Sequence, residues 1–328
     1  MKTEEINNLK KTLGNLTAKV KLILHEKEND PFSQRLKNFA QKLSEVSEGK
    51  VILAENKDKI SLSGFPALTL SSKNHHNIHY LSIPEGHELQ PFSNALTFIS
   101  QGYAPCLERT KNILAKVSKP AEIMVFISPY CTNCPKVVEV VISLALSNPL
   151  ITAFIIDVQY FKELADKYQI KSVPATIVDQ DLVLIGHVTE GKLAELIAQR
   201  GKLHYDRERI GSLIERGLIL EAADLICNGE CQEAILSLFE EGDLSTRMGV
   251  LVVFEEAIEK DINRVRGMVP QLIELLSHKD SRIRGDIADL LGKIGDSRAI
   301  PHLEKLTSDP DPDVVEAASE ALEMLQPD

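Results

Sequence analysis

Ile123-Met124-Val125-Phe126-Ile127-Ser128-Pro129-Tyr130-Cys131-Thr132-Asn133-Cys134-Pro135-Lys136-Val137-Val138 is the stretch from which the fold can be read. The unbroken apolar run at 123–127 predicts a strand buried on both faces. From residue 135 to 146 the apolar residues fall at helical spacing. Pro135 is tolerated in the first turn of such a helix, where amide N–H groups have no intrahelical partner anyway. The two cysteines therefore sit at a strand-to-helix junction. Thiol–disulfide exchange needs one thiolate to attack and a second thiol close enough to resolve the mixed disulfide. At the helix N-terminus, spare amides and the positive end of the dipole favour an ionised Cys131; Cys134, one turn in, is less exposed and acts second. Two other accounts stand beside this one. A structural zinc site would need a second pair of ligands, for which Cys227 and Cys231 are the candidates, or the pair could be inert core cysteines.

Outward from this motif the first 203 residues alternate strand-like and helix-like patterns, which predicts βαβ units. Strands are expected at 20–24 and 50–54, a hairpin at 67–70 and 78–83, and helices at 32–46 and 88–101. The same order then recurs: strands at 123–127 and 151–156, a hairpin at 175–178 and 182–188, and helices at 135–146, 160–168 and 192–198. This is an internal duplication with a period of about 100 residues. Each half reaches its hairpin through a proline, Gly64-Phe65-Pro66-Ala67-Leu68 in the first and Ser172-Val173-Pro174-Ala175-Thr176 in the second. A missing N–H is tolerated at a strand start, and an X-Pro bond there is where a cis peptide is stabilised.

Beyond about residue 203 the strand signals stop. Helices are expected at 209–227, 231–240, 245–258, 265–276, 281–294, 299–306 and 313–325. A 31-residue self-similarity places Pro270 with Pro301, Leu272 with Leu303, Asp280 with Asp311 and Ile283 with Val314. Such helix pairs cannot bury an apolar face alone and must stack.

Composition limits the functional classes. With 26% charged and 43% hydrophobic residues in 328, the chain reads as globular rather than disordered. The N-terminal MKTEEINNLK lacks the apolar core of a secretory signal, no apolar stretch is long and clean enough to span a bilayer, and five scattered cysteines do not form a secreted disulfide framework. A cytoplasmic protein is expected. From residue 204 onward there are 27 acidic and 13 basic residues, a net −14, against 21 and 24 before it. That acidic region repels phosphate backbones, so nucleic acid is not an expected partner.

The first 203 residues resemble the N-terminal, electron-relaying domain of the bacterial alkyl hydroperoxide reductase flavoprotein, a tandem of two thioredoxin folds. The resemblance lies in Pro84-Glu85-Gly86-His87-Glu88-Leu89, in Cys131-Thr132-Asn133-Cys134-Pro135 and in Val173-Pro174-Ala175. In that family the first fold has lost its cysteines, as here, where residues 28–31 occupy the matching place. Archaeal tandem protein disulfide oxidoreductases look similar, although many keep cysteines in both halves. The resemblance implies that Glu88 lies beside the dithiol and assists proton transfer, as a buried carboxyl could; as a plain helix-start residue it would need no such role. It also implies that Pro174 is cis and abuts Cys131, with Val173, Thr132 and Asn133 meeting a bound peptide. Thr132 stands where the relay domain has a histidine, so the family's redox poise does not carry over. No Gly-x-Gly-x-x-Gly occurs, so neither a dinucleotide nor a flavin is expected, and the redox-active disulfide would serve in place of a cofactor. The helical segment resembles HEAT-like repeats.

The expected architecture is thus α/β: a thioredoxin-like fold without a cysteine pair at 1–116, a second with the Cys-x-x-Cys site at 117–203, and α-helical repeats at 204–328. The expected activity is that of a thiol–disulfide oxidoreductase or electron relay. It would act on a protein disulfide or peroxiredoxin-like substrate, take electrons from a separate reductase and dock a protein partner on its repeats. The alternative is a non-enzymatic interaction scaffold built on degenerate folds. Three weaker signals remain. His75, His76 and His79 read as polar residues about a hairpin turn rather than metal ligands. Cys227 and Cys231 flank a turn and read as structural, and Cys106 reads as a small core residue.

Overall fold

A computed structural model describes residues 3–55, 60–62, 64–72 and 77–325. The chain divides into two compact units at Arg200 and Gly201.

The first unit holds α1 (Thr3–Gly14), β1 (Val20–His25), α2 (Pro31–Val46), β2 (Val51–Glu55), β3 (Ala67–Ser71), β4 (Ile78–Leu81) and α3 (Leu89–Gln101), the last preceded by a 3-10 turn at Gly86–Glu88. After α4 (Glu108–Leu114) come β5 (Ala121–Ile127), α5 (Cys134–Ser147), β6 (Ile151–Asp157), α6 (Lys162–Lys167), β7 (Ala175–Val178), β8 (Leu182–Ile185) and α7 (Glu190–Ala198). The eight strands form one sheet in the order β2-β1-β3-β4-β6-β5-β7-β8. The duplication is visible in its pairings. β1 runs parallel to β2 and antiparallel to β3, as β5 does to β6 and β7, and each half ends in an antiparallel hairpin. The halves join where β4 pairs in parallel with β6, from Ile78 opposite Ala153 to Leu81 opposite Ile156. Asn77 strengthens the seam, its side-chain amide donating to the carbonyls of Ala145 and Ile151 at 2.7 and 2.6 Å.

β5 and β6 are covered on both faces, as their continuous apolar runs require. Phe126, Phe154, Tyr80 and Phe92 are fully buried, each aromatic contributing on the order of 2 to 3 kcal/mol by removal from water. α2 begins one residue before the expected start, with Pro31 in its first turn and the Asp30 carboxylate accepting the Ser33 N–H at 2.7 Å.

The second unit is entirely helical among its described residues: α8 (Leu203–Glu215), α9 (Ile219–Cys227), α10 (Gln232–Glu241), α11 (Leu244–Arg266), α12 (Val269–Leu275), α13 (Ser281–Ile294), α14 (Ile300–Leu306) and α15 (Pro312–Leu325). The single helix expected at 209–227 is two, broken at Gly217, whose φ of +73 is open to glycine at no steric cost. α11 bends at Asp261, which leaves helical geometry at φ −153 and ψ 81. The 31-residue repeat is structural: Pro270 and Pro301 open α12 and α14, while Leu272, Leu303, Ile283 and Val314 are all core. α13 lies close on α15 because Gly292 has no side chain; a Cβ there would stand 2.9 Å from Cα of Ala321.

Candidate functional site: a dithiol beside a buried carboxyl

The β5–α5 junction places both cysteines as expected. Asn133, at the N-cap of α5, makes no side-chain cap bond. The orphan amide of Cys134 instead donates to Sγ of Cys131 at 3.2 Å. Sulfur thus takes here the role that the Asp30 carboxylate takes at α2, and an N–H aimed at that sulfur is a donor able to hold negative charge on it. Cys131 is half-buried and its thiol also faces the carbonyl of Val173 at 3.7 Å. The Val173–Pro174 bond is cis, the one such bond among the described residues, and the Gly186 amide donates to the Pro174 carbonyl at 2.8 Å. Thr132 and Asn133 are exposed, and Tyr130 is 79% exposed beside them. Cys134 is fully buried, and neither sulfur is bonded to another. Burial pushes the Cys134 thiol well above its ordinary range, with the hydrogen bond to Cys131 and the nearby charge of Glu88 adding to it.

Glu88 comes from the other half of the duplication. It ends the 3-10 turn ahead of α3, is 1% exposed, and neither carboxyl oxygen has a hydrogen-bond partner among the described residues. The turn is pinned to the loop before Cys131: the His87 amide donates to the Pro129 carbonyl at 3.4 Å, and Gly86 packs on the same carbonyl at φ +61. A Cβ on Gly86 would stand 3.1 Å from that oxygen. Burial, then the charges of Asp157 and Glu139, push the Glu88 carboxyl up to about 8. Tyr80, buried with its hydroxyl unpartnered, is likewise raised by burial and by Glu88. The site therefore holds a half-buried thiol, a fully buried second thiol and a carboxyl able to take or give a proton near neutrality.

Sequence reasoning missed Asp157, which ends β6 opposite Ile127 and is 1% exposed. It also missed Arg35 of α2, which ion-pairs with Glu85 at 3.7 Å and hydrogen-bonds the Tyr160 hydroxyl. A carboxylate closing a strand that is apolar but for Thr152, in a segment expected to pair near the one that leads into Cys-x-x-Cys, was the available signal. In the first half, the place matching the dithiol is filled from within the chain: Phe32 packs on Tyr160 and Phe161 at 4.6 and 5.0 Å, and Phe65 on Phe161 at 5.8 Å.

His75 and His76 lie outside the described residues. His79 is not a turn residue: it lies in β4, buried, with Nδ1 2.7 Å from the Thr69 hydroxyl and its ring stacked on Phe154 at 4.7 Å. Burial, then His25, hold it neutral by lowering it to about 3. Cys227 and Cys231 take different neighbours, the Ala257 carbonyl at 3.8 Å for the first and Asp206 with Arg209 for the second. Cys106 is buried, with Sγ 3.5 Å from Glu190. Among the described residues no group of three or more His, Cys, Asp and Glu side chains is placed to hold a metal ion, and no helix is long and apolar enough to cross a membrane.

Residues 121–198 match the family model of a thioredoxin domain, and residues 256–323 that of HEAT repeats. By sequence the chain is similar to a protein named NADH dehydrogenase from Ferdinandcohnia aciditolerans, 26% identical over 179 residues that make up 53% of this chain and 32% of that one. It is also similar to an alkyl hydroperoxide reductase component from Staphylococcus epidermidis, 28% identical over 155 residues, 46% of this chain and 29% of the other. The chain spans about a third of the length of these curated relatives, whose names are those of redox proteins. Among solved structures, the N-terminal domain of the Enterococcus faecalis alkyl hydroperoxide reductase superposes with a TM-score of 0.54 at 23% identity, over 60% of this chain and 99% of that one. A protein disulfide oxidoreductase from Aeropyrum pernix gives 0.54 at 18% identity, over 60% and 92%. At these identities the likeness shows the fold: two tandem thioredoxin-like folds followed by helical repeats.

Proposed function

We propose that the chain is a thiol–disulfide oxidoreductase, an electron relay that cycles Cys131 and Cys134 between dithiol and disulfide. The observation that carries the reading is the asymmetry of the two sulfurs: one half-buried, facing an amide N–H and the carbonyl before a cis proline, the other fully buried beside an unpartnered carboxyl. The Cys131 thiolate attacks one sulfur of a substrate disulfide, breaking it; the other substrate sulfur leaves as a thiolate and takes a proton. Cys134 then gives its proton to ionised Glu88 and attacks Sγ of Cys131. An S–S bond forms within the chain, and the second substrate sulfur leaves and is protonated in turn. The substrate gains two electrons and two protons, and the chain loses them. A separate dithiol reductase restores the pair, because this sequence carries no dinucleotide fingerprint.

The backbone at Val173 and Pro174, with exposed Thr132 and Asn133, meets the substrate peptide, which belongs to a protein disulfide or a peroxiredoxin-like protein. The helical unit docks a protein partner, and its net −14 favours a basic face on it. Cys131→Ser should abolish disulfide reduction, whereas Cys134→Ser should leave a mixed disulfide with substrate that is visible by mass. Equal behaviour of the two variants would sink the assignment. Thiol titration with and without a dithiol reductant should expose two additional thiols; none would favour a scaffold with idle cysteines.

A further inference from the structure

α11 buries one face and shows the other. Val250, Val253, Phe254 and Ala257 are wholly buried in the core of the helical unit. On the opposite face, at one-turn spacing, stand Leu244, Met248 and Val252, exposed at 63, 41 and 42%. A surface helix carries polar residues on the face turned from its core, and apolar residues scattered singly there call for no explanation. Three along one line form a stripe, which does.

Beyond Val252 the same line turns acidic, at Glu255 and Glu259, both exposed. Lys293 of α13 ion-pairs with Glu255 at 2.8 Å and with Asp289 at 3.0 Å, so one cation serves two carboxylates. Glu259 has no ion-pair partner among the described residues. The line from 244 to 259 ends before the bend at Asp261 and is about 22 Å long, room for a helix of four turns.

We propose that this outer face of α11 is the docking surface for a basic amphipathic helix of a protein partner, whose apolar side chains lie on Leu244, Met248 and Val252 and whose lysines or arginines meet Glu255 and Glu259. The inference rests on the reading that the helical unit docks a partner, and adds where the partner sits and what it presents. Apolar anchors one turn apart are how a helix lies along such a line. Charge then selects among helices: with a net −14 over residues 204–328, the unit draws a basic segment and repels an acidic one. A second copy of this chain fits the line badly. Laid antiparallel in register, Glu259 and Glu255 would come against Leu244 and Met248 and lose water to apolar side chains; laid parallel, each carboxylate would meet its own copy.

The test uses the full chain and two fluorescent synthetic helical peptides, read by anisotropy. Both carry leucines at i, i+4 and i+8; one has lysines on the turns to either side and the other has glutamates there. The wild type should hold the lysine peptide at least about tenfold more tightly than the glutamate peptide. Leu244→Ser with Met248→Ser should weaken the lysine peptide about tenfold, the scale of losing apolar anchors at an interface. Glu255→Lys with Glu259→Lys should reverse the order of the two peptides. All four positions are exposed, and circular dichroism checks that the variants keep the fold. Equal affinity of the wild type for both peptides would overturn the proposal, since a merely adhesive surface ignores charge. Lysine-peptide binding that survives both pairs of substitutions would overturn this surface and leave the helical unit as a docking site elsewhere on its face. Binding of neither peptide would overturn this surface together with the basic partner proposed for the unit. A wild type that scatters light as a dimer, and as a monomer once Leu244 and Met248 are serine, would give the face to a second copy instead.

Discussion

Replacing Glu88 with glutamine should make the first unit more stable, by an amount that depends on pH. The carboxyl ionises near 4.5 in an unfolded chain but holds its proton to about pH 8 in the fold. Its folded value is raised, so the stability it carries is fully present below pH 4.5 and is lost as pH climbs towards 8, where the unfolded chain alone has released the proton. The loss runs at about 1.4 kcal/mol per pH unit, or roughly 3 kcal/mol at pH 7. Glutamine has nearly the same shape and no charge to hide. Glu88→Gln should therefore match the wild type near pH 4 and exceed it by roughly 3 kcal/mol at pH 7. Urea unfolding followed by tyrosine fluorescence reads the relevant unit, because five of the six tyrosines lie before residue 201 and the chain has no tryptophan. A stability difference that stays constant between those pH values would refute the reasoning, since only a titrating group gives it a slope. The same variant should slow resolution by Cys134, so stability and chemistry move in opposite directions at this residue.

His79 should act at the acid end: lowered to about 3, it refuses a proton that the unfolded chain accepts below 6.5. Stability then falls as pH drops, by about 2 kcal/mol at pH 5, and His79→Phe should flatten that fall in urea melts; an equal acid loss in both proteins would count against it. Gly86→Ala should cost about 1 to 2 kcal/mol for its left-handed φ and push the Glu88 turn off the Pro129 carbonyl. Alkylation of Cys131 should keep its rate while resolution by Cys134 slows, and an unchanged single-turnover trace would show that the contact does not matter. A chain ended at Lys202 should still reduce a small disulfide but lose rate with the natural protein partner, whose reaction with the full chain should slow as salt rises. Loss of small-disulfide turnover with circular dichroism unchanged would move part of the chemistry into the helical unit.

The Cys-x-x-Cys pair at a strand-to-helix junction and the duplication were legible in an apolar run ended by Cys-x-x-Cys and in an order of elements that repeats, whereas the cis bond at Pro174 came from resemblance, since Pro66 and Pro174 stand alike at strand starts. The proximity of Glu88 to the dithiol came from resemblance, since more than 40 residues separate it from Cys131. Asp157 escaped because the reading of 151–156 stopped one residue short of it, and its meaning depends on the parallel register with β5, which no local pattern records. His79 was misjudged because polarity was taken for exposure, whereas the Thr69 hydroxyl and the Phe154 ring supply what a buried imidazole needs. The break at Gly217 was hidden by apolar residues that keep helical spacing across it, and α1 by the charged residues among its apolar ones.

The seam between β4 and β6 gives the cysteine-free half a use that has no bearing on thiols. On its own, the second half would end in β6, whose first six residues, Ile-Thr-Ala-Phe-Ile-Ile, are uncharged, rich in β-branched side chains and free of proline. Such an edge is a template for pairing with another chain. Residues 117–203 produced alone should accordingly aggregate, whereas the intact tandem closes that edge with a strand of its own, and the first fold persists as a guard against self-association.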